Sequence, residues 1–253
     1  MGALHEGHVT LVRRARSECD LVVVSIFVNP TQFGPGEDFK RYPRTLQRDL
    51  KLLQSEGCDL VFMPGAEDMY PDGFDTYVAP GALAHALEGA HRPGHFQGVA
   101  TVCLKLFTVC HPDRAYFGAK DYQQALLVRK MAEDFNLDLK FVLCPTVRDA
   151  DGLALSSRNR FLTPAQRQTA LALPRTLAGV ARRLRSGVLS PRRAENAGLK
   201  ALSGVAGLSP DYFAVREAAT LAPCRPGDRH LVALAAVRVG STRLIDNVQV
   251  SLK

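Results

Sequence analysis

DLVVVSIFVNPTQF, residues 20–33, contains a largely apolar run, residues 21–28, and ends that run at an Asn-Pro pair. The run has the length of a strand and falls far short of a membrane-spanning helix. Near-continuous Val and Ile predict a strand buried on both faces, as in a parallel sheet covered by helices. The loop that follows, through Gln32 and Phe33, falls where open α/β sheets hold their ligands.

The flanking segments extend this pattern. Residues 8–18 place Val9, Val12 and Ala15 at helical spacing. Residues 45–56 carry Leu46, Leu50 and Leu53 and close at Gly57, which predicts a second helix before a strand at 59–63. After an irregular stretch to Gly98, the spacing predicts a helix over 99–110, a strand over 114–117, a helix over 122–135 and a strand over 138–143. The alternation is that of a doubly wound, Rossmann-like α/β domain spanning residues 1–146. From Pro145 the character changes. A polar loop over 148–159 leads to Thr163-Pro164, a helix start with proline at its first position, and two helices follow. Three strands, near 211–216, 230–239 and 243–250, then complete a smaller α+β domain over 147–253, with Gly240-Ser241 as the last turn.

At 253 residues and 46% hydrophobic content, the chain can bury a large core. Its formal charge of +7 raises the question of nucleic acid, but the densest basic cluster, Arg182, Arg183, Arg185, Arg192 and Arg193, contains no interleaved aromatic residue. That cluster reads as a solvated helix face, and the charge as a modest field that suits small anionic substrates. The six cysteines are scattered without a CxxC pair, and the N-terminus lacks the basic and apolar regions of a secretory signal. Both features predict a reduced, cytoplasmic protein with neither nucleic acid nor membrane as partner.

Three short segments carry chemistry. His5 and His8 stand three residues apart in HEGH, so on a first helical turn both face the N-H groups that attract phosphate. Gly7 between them lets a base or a phosphate approach the backbone. Each imidazole can donate to phosphoryl oxygens and stabilise charge as a leaving group departs. Taken alone, two such histidines also fit a metal pair or a surface coincidence. Gly118-Ala119-Lys120-Asp121 lies directly after a predicted strand and opens a helix, a natural nucleotide-binding position. Leu155-Ser156-Ser157-Arg158 brings two hydroxyls and a guanidinium into a loop able to close over a triphosphate.

With those segments in place, the chain resembles the pantoate–β-alanine ligases, a family of the HxGH-bearing nucleotidyltransferases. The resemblance runs through MGALHEGH at 1–8, SIFVNPTQF at 25–33, YPRTLQRD at 42–49, RPGHFQGV at 92–99, FGAKDYQQ at 117–124, DGLALSSRN at 151–159 and RLIDN at 243–247. It implies that ATP and pantoate form pantoyl adenylate, that the amine of β-alanine then displaces AMP, and that magnesium accompanies the nucleotide. Carried over by motif, Met1, Gly2, Ala3, Leu4, His5, Glu6, Gly7 and His8 would line the ATP site, with His8 the proton donor and His5 a phosphate ligand. Gly118, Ala119, Lys120 and Asp121 would contact ribose and phosphates, Val147 the adenine, and Leu155, Ser156, Ser157 and Arg158 the triphosphate. Gln32 and Gln124 would hold pantoate, since a primary amide offers donors and an acceptor without adding charge. The catalytic set so implied is His5, His8, Lys120, Ser156, Ser157 and Arg158, and the resemblance also implies a homodimer.

Two departures accompany the match. Ala119 stands where the family usually has Glu, giving GAKD for GEKD. Family members also have a helix and a buried strand ahead of the methionine that is Met1 here, which leads to the expectation that the first strand is missing from this chain and that the native product starts upstream. A phosphate-acceptor adenylyltransferase sharing HxGH, or an inactive truncated paralogue, are the competing readings.

Overall fold

The computed structural model describes residues 2–252, so Met1, expected at the ATP site, lies outside the described residues. The chain divides into two compact units, Met1–Ala119 with Gln124–Val147 and Lys120–Gln123 with Arg148–Lys253. The architecture is mixed α/β, with parallel strands in the first unit and an antiparallel sheet in the second.

In the first unit, helix α1 (Glu6–Glu18) precedes β1 (Val23–Ser25), and α2 (Leu46–Ser55) connects it to β2 (Leu60–Phe62). β1 and β2 are parallel, with Val23 opposite Leu60 and Ser25 opposite Phe62, the arrangement a helical crossover requires. The Asp59 carboxylate extends the pairing by accepting from the Val22 N-H at 2.7 Å. Two single turns, α3 (Ala66–Met69) and α4 (Glu88–His91), precede the long helix α5 (His95–Cys110). Strand β3 (Arg114–Gly118), helix α6 (Tyr122–Asp134) and strand β4 (Lys140–Cys144) form a second parallel crossover, in register from Arg114 opposite Lys140 to Gly118 opposite Cys144.

Burial corrects the expectation for residues 21–28. Val22 and Val24 are buried with Leu4, Val12, Ala15 and Leu53 between α1 and α2, but Leu21 and Val23 are 59% and 40% exposed. The β1 ladder is three residues long, and its period-2 alternation sends only one face into this core. Helix α5 also starts earlier than its sequence suggests, because two glycines in RPGHFQG read as loop. Gly94 takes φ +79° just ahead of the helix, while Gly98 lies inside it for a packing reason. A Cβ at Gly98 would stand 2.3 Å from the Thr31 carbonyl oxygen, so α5 lies directly against the backbone of residues 30–32.

In the second unit, α7 (Pro164–Ala170) begins as expected: the Thr163 hydroxyl accepts from Gln166 N at 3.2 Å, and the Gln166 side chain accepts from Thr163 N at 3.0 Å. Two further helices follow, α8 (Ala172–Arg185) and α9 (Pro191–Ser203). Leu173, Leu177, Val180 and Leu184 bury one stripe of α8, and Arg182, Arg183 and Arg185 lie on its solvent side. The sheet is antiparallel in the order β5 (Leu208–Glu217), β6 (His230–Val239), β7 (Thr242–Ser251), with Gly240 at φ +58° in the final turn. α9 presses Gly198 against the Phe213 ring of β5, where an added Cβ would come within 2.5 Å. Among the described residues, no helix is long and apolar enough to cross a membrane.

Gly198→Ala forces that ring aside in a packed core and is expected to destabilise the second unit by about 1–3 kcal/mol. A calorimetric melting temperature equal to that of the wild type would contradict this packing account.

Candidate active site

The HEGH turn is held from beneath by one carboxylate. Ala3 adopts φ +49°, a left-handed conformation that a Cβ makes costly, and the chain stays there because Asp49 grips it. Asp49 is 1% exposed in α2; its Oδ2 accepts from Ala3 N and its Oδ1 from Leu4 N, both at 2.9 Å. Thr45, the residue before the helix, adds its hydroxyl to Oδ1 at 3.0 Å. Three donors satisfy a charge that burial would otherwise make costly.

His5 then caps α1 with extended backbone, φ −141°, and its N-H donates to Nδ1 of His8 at 3.3 Å. An accepting Nδ1 places the proton of the neutral His8 ring on Nε2. The two rings pack at 4.1 Å between centroids, tilted by 33°. The structure thus brings His5 and His8 together, although His5 sits at the cap and not on the helix. Gly2, Ala3 and Leu4 are buried, Gly7 is half-buried, and Glu6 is exposed in an ion pair with Arg13.

A second polar network surrounds Gln32. Asn29, 2% exposed, donates from Nδ2 to the Gln32 side-chain oxygen at 3.2 Å and to the Gly98 carbonyl at 3.1 Å. Its Oδ1 accepts from the Tyr70 hydroxyl at 2.7 Å and the Thr31 hydroxyl at 3.0 Å. The backbone of Gln32 is held as well, its carbonyl 2.8 Å from Nδ1 of His95. Nε2 of the same ring lies 2.9 Å from Arg92 Nη1. Arginine has only donors, so Nε2 accepts and Nδ1 carries the proton toward Gln32. Glu37 fixes Arg92 in turn through two bonds of 2.7 and 2.6 Å. Burial would raise the Glu37 carboxyl, but Arg92 outweighs it and holds Glu37 below its ordinary range. Burial, helped by the Arg92 charge, pushes His95 down to about 4 against the pull of the Gln32 carbonyl, Glu37 and Glu88. Gln124 is half-buried in the first turn of α6.

Gly118 ends β3, and residues 119–121 make a tight 3-10 turn that runs straight into α6. Ala119 is buried, while the Lys120 ammonium lies 3.5 Å from the Asp121 carboxylate. Val147, half-buried, follows β4 in the first unit. In the second unit the loop bearing Leu155, Ser156, Ser157 and Arg158 has a pinned base. Arg167 holds Asp151 and Asp149, and Asp149 N donates to the Leu153 carbonyl at 2.8 Å. Ser156 caps the following 3-10 turn, its hydroxyl accepting from Arg158 N at 3.3 Å. Among the described residues, no group of three or more His, Cys, Asp or Glu could hold a metal ion.

The family model described as pantoate-beta-alanine ligase matches residues 1–249. The chain belongs to this family. The pantothenate synthetase of Moorella thermoacetica is 51% identical over 98% of this chain and 88% of its own length. A crystal structure of pantothenate synthetase from Thermus thermophilus superposes with a TM-score of 0.94 at 51% identity, covering 98% of this chain and 90% of that one. The pantoate-beta-alanine ligase of Francisella tularensis, solved in complex with beta-gamma ATP and beta-alanine, gives a TM-score of 0.79 at 37% identity over 98% of this chain and 86% of that one.

In this ligase Ala119 points into a buried position, so the change from the usual glutamate falls on a side chain that packs in the turn, between Gly118 and Lys120. Asn29, Asp49, Tyr70, Arg92 and His95 lie outside the set of site residues the sequence motifs imply. Their signal was present as polar residues inside otherwise apolar motifs, but only the fold gives each its partner.

Asp49→Ala leaves the Ala3 and Leu4 N-H groups buried without an acceptor and is expected to cost about 3 kcal/mol, read by chemical denaturation. Asp49→Asn, which keeps one acceptor, should lose less. His95 yields a pH dependence. The unfolded ring protonates near 6.5 and the folded ring only near 4, so the unfolded chain binds more protons between them. Stability therefore falls as pH drops through that window, by roughly 3 kcal/mol in all. His95→Gln should flatten this part of the profile, and an unchanged slope would rule the His95 account out.

Proposed function

We propose that this ligase condenses (R)-pantoate with β-alanine at the expense of ATP, giving pantothenate, AMP and diphosphate. The observation that carries the reading is the Asp49-clamped HEGH turn, in a chain half identical to pantothenate synthetases over nearly its whole length. In the first step a pantoate carboxylate oxygen attacks the α-phosphorus of ATP, the bond from that phosphorus to the β-phosphate bridge breaks, and diphosphate leaves. In the second step the amine of β-alanine attacks the acyl carbon of pantoyl adenylate, loses a proton, and AMP departs. No nucleophilic side chain is needed, since the enzyme aligns reactants and stabilises the charge that develops.

His8 suits the first step because its Nε2 proton can be donated to phosphoryl oxygen, with His5 stacked on it as a second phosphate ligand. Gly2, Ala3, Leu4, Glu6 and Gly7 complete that wall, and Met1 belongs to the same motif. Gln32, oriented by Asn29 and His95, and Gln124 serve pantoate. Gly118, Ala119, Lys120 and Asp121 serve the ribose and phosphates and Val147 the adenine. Leu155, Ser156, Ser157 and Arg158 contact the triphosphate. Magnesium enters with the nucleotide, held chiefly by phosphate oxygens, and needs no carboxylate cage from the protein. A cytoplasmic homodimer is part of the proposal; light scattering tests the dimer.

Two measurements test the reaction. Diphosphate should exchange into ATP only when pantoate is present, and AMP release should require β-alanine. Exchange without pantoate, or with a nucleotide acceptor in its place, would refute the proposal. His8→Ala should lower the exchange rate by about 10²–10³-fold while leaving the fold intact.

A further inference from the structure

Strand β7 carries two adjacent polar residues, Asp246 and Asn247, that are 3% and 5% exposed. Buried polar side chains in a strand persist only where partners satisfy them, and successive residues of a strand point to opposite faces. These two reach different segments. Asp246 holds Arg148 through two bonds, Nη1 to Oδ2 at 2.7 Å and Nη2 to Oδ1 at 2.9 Å. Arg148 in turn donates to the Gly152 carbonyl at 3.2 Å and to the Asn247 carbonyl at 3.3 Å. This ties the base of the 149–153 turn, from which Leu155–Arg158 continues, to β7. Asn247 donates from Nδ2 to the Lys120 carbonyl at 2.9 Å across 127 residues of sequence. That bond, with the Tyr122 hydroxyl donating to Ala218 O at 3.0 Å, makes Lys120–Gln123 part of the second unit.

We propose that Asp246 and Asn247 are positioning residues. Through them β7 mounts the lysine turn and the serine-arginine loop on a single strand, so that Lys120 and Ser156–Arg158 keep one fixed spacing when they handle phosphate. Neither touches substrate; Asn247 acts through the backbone of Lys120 and Asp246 through Arg148. The phosphate role of Lys120 and of the loop rests on the proposed function above, whereas the anchor itself is a matter of hydrogen bonds alone.

Asn247→Asp tests this, because it keeps the size of the side chain and replaces the donor facing the Lys120 carbonyl with an acceptor. The expected result is a fall of about tenfold in kcat/KM for ATP in pantoate-dependent exchange, with the KM for β-alanine within twofold of wild type. In a Lys120→Ala background the same substitution should cause no further loss of residual exchange. Backbone amide hydrogen exchange over residues 119–123 should speed up in the variant, and this readout does not depend on catalysis. Asn247→Ala, which removes the donor without adding an acceptor, provides the same measurements if the aspartate variant does not fold. Unchanged protection at 119–123 overturns the anchor, and additive losses with Lys120→Ala, or equal losses for ATP and β-alanine, overturn its positioning role. A wild-type enzyme that shows no exchange would sink the proposed function and leave the hydrogen-exchange test of the anchor standing.

Discussion

The Asp49 carboxylate, buried in α2 and clasped by the N-H groups of Ala3 and Leu4, is the contact on which the HEGH turn depends. A turn with a non-glycine residue at positive φ is not a resting conformation of the chain. It persists because two successive donors find two oxygens of one group, and that group is held by its own helix through Thr45. Because Ala3 and Leu4 are fixed, α1 starts at a defined place, and the His8 imidazole in its first turn acquires a defined tautomer. A chain of short polar contacts thus converts the packing of α2 into the chemical state of a ring nitrogen.

The Gln32 network follows the same logic with different parts. Glu37 orients Arg92, Arg92 orients His95, and His95 orients the backbone of Gln32, while Asn29 fixes its side chain. Every member is satisfied, so desolvation stiffens the network and does not weaken it. Gly98 makes this possible by letting α5 approach the backbone of residues 30–32, which places His95 beside the loop.

Much of the fold was legible in the sequence because hydrophobic period and end signals agree there. The Val9, Val12 and Ala15 stripe, the Thr163-Pro164 start and the Gly240 turn each appear where local chemistry puts them. The apolar run at 21–28 was misread because composition alone does not tell a strand covered on one face from one covered on two. The start of α5 was missed because a glycine chosen for close packing looks the same as one chosen for a bend. The candidate site was legible as motifs, since HEGH, GAKD and SSR stand out by residue type. The residues that hold those motifs were not, because Asp49, His95 and Asn247 acquire meaning from partners 45 or more residues away.

The long reach of Asn247 also sets an order in time. Lys120 leaves the ribosome 127 residues before the side chain on strand β7 that secures its carbonyl. Until then the first unit can build its helices and parallel pairs, but the lysine turn has no anchor in the second. The lysine turn thus gains this bond only once β7 has been made, and any chain cut short before residue 247 carries the turn without the side chain that holds its backbone.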